Sequence, residues 1–208
     1  FHMDIAASIQ KVTEDIMIKL AKSLKEEFDI PNLCLAGGVA LNCVANGKIL
    51  KEKIFENIWV QPASGDAGGS LGGALAVWHG ELNEERKINL KDSMKGSYLG
   101  PEYSDNLIKD ELDKIGAIYQ ELSESEILEK TAEDLSNSLA IGWFQGRMEF
   151  GPRALGGRSI IGDPRSSTMQ KNLNLKVKYR ESFRPFAPSI LNEDASDWFD
   201  IQSDSPYM

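Results

Sequence analysis

Seven apolar residues near the N-terminus recur at spacings of three and four, as residues on one face of an α-helix do. They are Ile5, Ile9, Val12, Ile16, Leu20, Leu24 and Phe28. This periodicity predicts one amphipathic helix over residues 4–28, which ends at the segment 29–31.

Two shorter apolar runs are each followed by glycines and then by a helical pattern. The first run covers residues 33–36, with Gly37 and Gly38 after it and a helical pattern over 39–50. The second covers residues 58–61, followed by the turn PASGDAGG and an apolar helix over 70–78. Two such units predict parallel strands with right-handed crossovers. Both glycine turns then lie at the carboxyl ends of neighbouring strands, where open α/β sheets bind ligands.

The rest of the pattern predicts shorter elements in a second domain. The polar segment 80–96 separates the two parts, and we place the domains at 1–90 and 91–208. Helices are predicted over 106–115, 123–138, 167–177 and 192–199, and Ser123 with Glu126 has the spacing of a capping box. Strands are predicted over 117–122 and 139–144, and an extended segment over 180–191.

Composition narrows the class of protein. The 208 residues are 41% hydrophobic, and no run approaches the ~18 apolar residues of a membrane helix. The N-terminus also lacks a signal-peptide pattern, so we expect a cytoplasmic protein without a membrane partner. The two cysteines have no metal-ligand spacing, and the two histidines lie far apart, so the residues predict no zinc or histidine-based metal site.

Charge is distributed unevenly along the chain. Residues 147–184 contain six Arg and three Lys against three carboxylates, a local balance of +6, whereas the whole chain carries -9 and the remainder therefore -15. Such a basic region in an acidic protein predicts a pocket for a small phosphorylated or carboxylated ligand, and disfavours nucleic acid. Its centre is the stretch QGRMEFGPRALGGRSII, residues 145–161. The alternative is that these arginines are scattered structural ion-pair partners.

The glycine turns admit both a structural and a ligand-binding interpretation. Tight strand-to-helix turns need glycine for steric reasons, but Gly37 and Gly38 could also present amides to a ligand. Asp66 lies between glycines, where its carboxylate could meet a ligand or a hydrated metal. Gly68 with Gly72, and Gly69 with Gly73, would share a bare helix face that admits another backbone or a flat ligand such as adenine. These six glycines are therefore candidates for either role.

Four stretches of the sequence together resemble the carbamoyltransferase family of NodU and the antibiotic O-carbamoyltransferases. They read LAGGVALN, SGDAGGSLGGAL, GWFQGRMEFGPRALGGRSI and KVKYRESFRPFAP. The resemblance covers most of residues 33–190. It implies an α/β fold in which a parallel-strand βαβα half of an actin-like or sugar-kinase-like ATPase lobe precedes a smaller YrdC-like α+β domain. It also implies that carbamoyl phosphate and ATP give carbamoyl adenylate, whose carbamoyl group then passes to a hydroxyl of a sugar or natural-product acceptor.

The resemblance also implies roles for individual residues. The nucleotide site would include Gly37, Gly38, Val39, Asn42, Gly68, Gly69 and Ser159. The phosphates and carbamoyl phosphate would be held by Arg153, Arg158, Lys178, Arg180 and Arg184. Asp66 would bind a divalent metal, iron or magnesium, together with histidines that this chain does not contain. We therefore expect that this chain alone does not catalyse the complete carbamoyl transfer. A homo-oligomer is possible.

Two other functions fit parts of the sequence. One is a sugar or acid kinase of the same ATPase superfamily, which would leave the basic region unexplained. The other is a non-catalytic nucleotide-binding or RNA-binding module, in which Phe144, Phe150, Phe183 and Phe186 would stack on bases between the basic residues. The acidic remainder of the chain opposes the RNA-binding alternative.

Overall fold

The structure, a computed structural model, describes residues 1–89, 91–201 and 203–207 and divides the chain into two compact units. The first unit comprises Phe1–Ser97, Phe150–Arg153 and Tyr207. The second comprises Tyr98–Glu149 and Ala154–Pro206. The domain boundary predicted at residue 90 falls on Leu90, which lies outside the described residues.

The N-terminal helix of the first unit is confirmed. Helix α1 (His2–Phe28) ends at Asp29, whose left-handed φ of 48° turns the chain and whose amide donates to the Lys25 carbonyl. The seven periodic apolar residues of α1 are all exposed, with exposed fractions of 42–63%. The face that packs inside the unit instead carries Met17, Ile18 and Ala21. The helix thus has apolar residues on more than one face, and the sequence periodicity detected the exposed one.

The first unit contains a parallel pair of strands, as predicted. Strand β1 (Asn32–Leu35) pairs with β2 (Asn57–Val60) in the register Asn32↔Asn57 to Leu35↔Val60. The hydrophobic core lies between this pair and the helices, and consists of Ala21, Leu33, Ile49 and Phe55. Because both strands run in the same direction, the turns that follow them lie at one edge of the sheet.

Two helices follow the strands of the first unit. A 3-10 turn (Gly38–Leu41) precedes α2 (Cys43–Lys51), and α3 (Asp66–Ala76) continues into a π-helical turn (Val77–Glu81). Helix α3 therefore begins four residues earlier than predicted, and Asp66 lies in its first turn rather than in a loop. A carboxylate is favourable there because the helix N-terminus carries partial positive charge.

A polar network links α1 to α2. The buried carboxylate of Glu14 accepts hydrogen bonds from Lys48 and from Gln10, and the Gln10 carboxamide also bonds that of Asn42. The hydrogen bond from Lys48 is the main reason why the pKa of Glu14 lies below its ordinary value. This network orients the start of α2 relative to α1.

The second unit combines short helices with an antiparallel strand pair. Its helices are α4 (Asp105–Lys114), α5 (Glu124–Ser136), α6 (Met169–Asn172) and α7 (Ala195–Trp198). Helix α6 continues into a π-helical turn (Leu173–Val177), and a 3-10 turn (Asn192–Asp194) precedes α7. The predicted capping box is confirmed, because Ser123 and Glu126 each bond the other's backbone amide.

The sheet of the second unit differs from the sequence prediction. Strand β3 (Ile141–Phe144) is confirmed, and it pairs with β4 (Arg158–Ile161), which the sequence analysis did not identify. The strand predicted over 117–122 is wrong: those residues form no regular element, and Ile118 is fully exposed. In the described part of the chain, no strand pairs with residues 117–122. The mixed α/β class of the chain is nevertheless confirmed, and none of the described helices is long and apolar enough to cross a membrane.

Candidate functional site

The two glycine turns of the first unit meet at one edge of its sheet. The amide of Gly37 donates to the carbonyl of Ser64, at 2.8 Å, and so joins the turn after β1 to the turn after β2. Gly37 has a φ of +95°, a conformation that residues with a Cβ rarely adopt. The predicted meeting of the turns is therefore confirmed. The Gly37 amide, however, is already paired and is not a free donor.

A cleft of about 440 Å³ opens beside these turns. Its lining includes Gly37, Ser64, Gly65, Gly68, Gly69 and Gly72. At Gly69 and Gly72 no atom lies within 4 Å of the position that a Cβ would occupy, so this face of α3 is open. At Gly68 a Cβ would lie 2.0 Å from the Ala63 carbonyl oxygen, so packing requires that glycine. The cleft brings together three predicted nucleotide-binding residues, Gly37, Gly68 and Gly69.

Four other predicted residues of this unit do not line that cleft: Gly38, Val39, Asn42 and Asp66. Val39 is exposed, and the Asn42 carboxamide caps α2 by accepting from the Ala45 amide at 3.1 Å. Asp66 is exposed, and among the described residues no group of three or more His, Cys, Asp or Glu side chains could hold a metal ion. Asp66 therefore does not form a metal site with other residues of the described chain.

Part of the basic stretch belongs to the first unit. The Phe150 amide donates to the Ser97 carbonyl at 2.7 Å, and the buried Ser97 hydroxyl donates to the Phe150 carbonyl at 2.6 Å. A Cβ on Gly151, which has a φ of +138°, would lie 3.0 Å from the carbonyl oxygen of Pro62. The segment 150–153 therefore packs on the turn that leads to α3.

Arg153 is assigned to a different unit from the other predicted basic residues. Arg153 is exposed, and among the described residues its side chain has no hydrogen bond or ion pair. It belongs to the unit that carries the glycine cleft, whereas Arg158 and Ser159 belong to the second unit. Neighbouring positions in one motif thus contribute to two different units.

The guanidinium of Arg158 is fixed at the start of β4. Arg158 lies directly opposite Phe144 in the antiparallel register, and its guanidinium carbon is 3.3 Å from the centroid of the Phe144 ring. Its terminal nitrogens donate to the carbonyls of Gln145, Gly146 and Gly157 at 2.7–3.2 Å. These bonds use three of the five guanidinium donors, and the others have no partner in the described part of the chain. Arg158 is thus held in place with donors left for a ligand.

Glu149 is a buried residue that the sequence analysis counted only as a charge. Its Oε1 accepts from the backbone amides of Leu155 and Gly157, each at 2.7 Å, and of Arg158 at 3.3 Å. Burial opposes ionisation of Glu149, but these amides together outweigh burial and lower the pKa of its carboxyl. The signal in the sequence was an acidic residue within a basic, glycine-containing stretch.

Asn174 is a second buried polar residue that no sequence pattern indicated. It organises the basic segment that contains Lys178, Arg180 and Arg184. Asn174 is fully buried, its Oδ1 accepts from Arg180 Nε at 2.7 Å, and its amide nitrogen donates to the carbonyls of Ser182 and Arg184 at 3.2 and 2.8 Å. The Arg184 guanidinium is exposed and lies 3.7 Å from Glu181. Exposure leaves the Arg184 guanidinium accessible to a ligand.

The structure places the predicted residues of the second unit in two groups. One contains Arg158 and Ser159, whose hydroxyl accepts from the Gly156 amide at 2.9 Å. The other contains Lys178, Arg180 and Arg184. In the part of the chain that the structure describes, no hydrogen bond joins the two groups.

Comparison with known proteins finds models of one protein family that match both parts of the chain. A model of the carbamoyltransferase N-terminus matches residues 2–75, and a model of the carbamoyltransferase C-terminus matches residues 132–208. The chain is 57% identical over 209 residues to the uncharacterized protein sll1178 of Synechocystis sp., a match that covers 100% of this chain and 34% of that relative.

Two nodulation proteins are also similar to the chain. The nodulation protein NolNO of Sinorhizobium fredii is 41% identical over 211 residues, covering 100% of this chain and 30% of the relative. The nodulation protein NolO of Bradyrhizobium diazoefficiens is 42% identical over 200 residues, covering 96% of this chain and 36% of the relative. The chain thus spans about a third of the length of these curated relatives.

Proposed function

The chain belongs to the carbamoyltransferase family, and we propose that it supplies parts of both reaction sites of an ATP-dependent O-carbamoyltransferase. Its ligands would be ATP, carbamoyl phosphate and a hydroxyl-bearing acceptor. The first unit would be part of an ATPase-like lobe that accepts the adenylate, and the second would be part of a YrdC-like domain that forms it.

The proposed reaction has two balanced steps. Carbamoyl phosphate, ATP and water give carbamoyl adenylate, with orthophosphate and pyrophosphate as the other products. The acceptor hydroxyl then attacks the carbamoyl carbon, the bond to the adenylate oxygen breaks, and AMP leaves with that oxygen. The hydroxyl proton is lost in the second step. Both substrates of the first step are polyanions, which suits a site built from guanidinium groups.

In this proposal the basic residues bind and neutralise phosphate and transfer no proton. An arginine is always protonated in a protein, so Arg158 cannot serve as a base. Held on Phe144, it would direct its remaining donors toward phosphate oxygens and stabilise the charge that develops during transfer. Arg180 and Arg184, whose segment is fixed by Asn174, would contribute further charge.

The observation that carries the proposal is that each of the two candidate sites lies within a different one of the two family matches. The glycine cleft is lined by residues 34–75, inside the match to the N-terminal model, and the basic residues 147–184 lie inside the match to the C-terminal model. An open glycine face admits a flat adenine, and guanidinium groups suit phosphate. The chemistry of each site supports the step that we assign to it.

A divalent metal, iron or magnesium, is a separate part of the proposal. Asp66 is a single exposed carboxylate, and one carboxylate does not provide the ligand number that such a metal needs. The described residues therefore do not fit a metal site by themselves, and we assign no step to a metal. Ligands from the remainder of a longer protein would be required.

The test is pyrophosphate release by the full-length protein supplied with ATP and carbamoyl phosphate. Loss of one charge-stabilising donor group typically costs about 10²–10³ in rate, and we expect a fall of that order for Arg158→Ala. The matched control is Arg147→Ala, because Arg147 lies in the same stretch, is exposed and, among the described residues, has a 3.7 Å ion pair with Glu102 as its one side-chain contact of this kind.

Three outcomes would contradict parts of the proposal. Undiminished release in Arg158→Ala would reject the role of that residue. ATP hydrolysis that depends on a sugar and ignores carbamoyl phosphate would favour a kinase of the same superfamily. A salt-dependent mobility shift with single-stranded RNA would favour the binding module.

A further inference from the structure

The glycine-containing segment 154–158 resembles an anion-binding loop, but its amides already hold an anion. The amides of Leu155, Gly157 and Arg158 converge on Oε1 of Glu149, which is only 7% exposed. Three backbone donors around one oxygen form the kind of concave nest that elsewhere binds phosphate. Here the bound group is a carboxylate of the same chain.

Two neighbouring contacts fix the loop around this carboxylate. A Cβ on Gly157 would lie 2.7 Å from the Arg147 carbonyl oxygen and 3.1 Å from Glu149 Oε2, so only glycine permits the close approach. The Tyr98 hydroxyl donates to the carbonyl of Leu155, the residue whose amide bonds Glu149. Burial, and to a lesser extent the charge of Glu149, raise the pKa of Tyr98, so this phenol stays protonated as a donor.

The carboxylate controls the backbone from which Arg158 projects. Glu149 bonds the amide of Arg158 itself and the amide of the preceding residue, and the Gly157 carbonyl accepts one of the guanidinium bonds. A shift of this backbone would move the guanidinium away from the Phe144 ring. The position of the Arg158 guanidinium is therefore linked to the Glu149 carboxylate through the backbone of residues 157 and 158.

We propose that Glu149 is a positioning residue that holds Arg158 in its ligand-binding orientation before any phosphate arrives. The proposal rests on the proposed function, in which Arg158 binds the phosphorylated substrates. It also assigns three of the loop amides: those of Leu155, Gly157 and Arg158 bind Glu149, and the ligand is left to guanidinium donors and the Ser159 hydroxyl. Oε1 of Glu149 already accepts three amides and is therefore not free to accept a further hydrogen bond from a ligand.

The proposal predicts a specific kinetic pattern for Glu149→Gln in the full-length protein. The neutral carboxamide of glutamine accepts hydrogen bonds from amides less strongly than a carboxylate does. A difference of about 1.4 kcal/mol lowers the equilibrium constant for the ordered loop about tenfold. A loop that is correctly placed only part of the time weakens apparent affinity by that fraction. We therefore expect KM for carbamoyl phosphate to rise by up to about tenfold, with a smaller change in kcat.

Hydrogen exchange of the amides at Leu155, Gly157 and Arg158 provides a readout that does not depend on activity. We expect it to accelerate in Glu149→Gln and to stay unchanged in the control Glu102→Gln, which removes the same charge from an exposed site in the same unit. If Glu149→Gln does not fold, Glu149→Asp gives the same two measurements, because its shorter side chain keeps the charge but reaches fewer amides.

The two readouts separate the possible failures. Faster exchange with an unchanged KM would overturn the positioning role and leave Glu149 a structural residue. Unchanged exchange would overturn the contact itself. If the unsubstituted protein releases no pyrophosphate, the proposed function fails, and the exchange rates still decide whether Glu149 holds the loop.

Discussion

Two adjacent glycines in α3 provide a test in which the same substitution has opposite effects. An alanine Cβ at position 68 would lie 2.0 Å from the Ala63 carbonyl oxygen and 3.2 Å from its carbonyl carbon. An alanine Cβ at position 69 would meet no atom within 4 Å. Gly68→Ala and Gly69→Ala are therefore matched variants that differ only in what surrounds the added methyl group.

The contact at position 68 cannot relax easily. The obstructing atom is a backbone oxygen, and Ala63 is completely buried in a turn that also holds the buried Ser64. That turn is fixed by the bond from the Gly37 amide to the Ser64 carbonyl and by the packing of Gly151 on Pro62. An added methyl group must therefore displace the helix or the turn by about 1 Å or more, which is a severe case of overpacking.

The magnitudes follow from two opposing effects. Replacing glycine by alanine inside a helix stabilises it by roughly 1 kcal/mol, whereas overpacking typically costs about 1–3 kcal/mol. At position 69 only the first effect operates, so we expect stabilisation of about 1 kcal/mol and a higher Tm. At position 68 we expect the upper part of the overpacking range, hence a net loss of about 1–2 kcal/mol and a lower Tm.

Thermal and urea unfolding of the full-length protein measure these changes, and ATP binding supplies a second readout. Because Gly69 lines the cleft, its methyl group would project into the space proposed for the nucleotide and should weaken binding even as it stabilises the fold. The reasoning is refuted if Gly68→Ala is as stable as the unsubstituted protein or if Gly69→Ala is destabilised. Unchanged ATP binding by Gly69→Ala would reject the nucleotide-binding role of the bare helix face.

Two further predictions concern the basic region. Asn174→Ala removes the acceptor for the half-buried Arg180 and the buried donor to the Ser182 and Arg184 carbonyls, so we expect a loss of about 1–3 kcal/mol in urea unfolding and weaker binding of carbamoyl phosphate; unchanged stability would contradict the network. Hydrogen bonds from Arg165 lower the pKa of Asp163, and backbone amides lower the pKa of Glu149 although burial opposes this. Both carboxylates therefore stabilise the fold at pH values above the ordinary carboxyl pKa. Stability measured against pH should therefore fall as the pH drops through their lowered folded values, and Glu149→Gln should make that fall shallower; an equally steep fall in the variant would contradict the assignment.

Local patterns predicted most of the helices and the meeting of the glycine turns. The capping residues Ser123 and Glu126 lie three positions apart, and the first helix repeats apolar residues at helical spacing, so both depend only on nearby sequence. The order of strand, turn and helix in the first unit was likewise enough to predict the parallel pair. The proposed roles of Asp66 and of the basic residues stay predictions.

Other features depended on residues distant in sequence. Strand β4 begins within the basic stretch and is a strand because β3 pairs with it, whereas residues 117–122 had similar apolar content and no partner. Spacing alone also does not distinguish the glycines of α3: among them only Gly68 faces a backbone oxygen, that of Ala63 in the turn before the helix.

The sequence by itself determined the family, the main local elements and the presence of one basic region in an acidic chain, because these are properties of order and spacing. The tertiary structure alone decided which donors are free. Glu149 occupies three amides of the glycine loop, Ser64 occupies that of Gly37, and Asn174 holds Arg180. A hydrogen bond is a pairing in space, and its partners here lie between 6 and 27 positions apart, so no local pattern reveals which groups remain for a ligand.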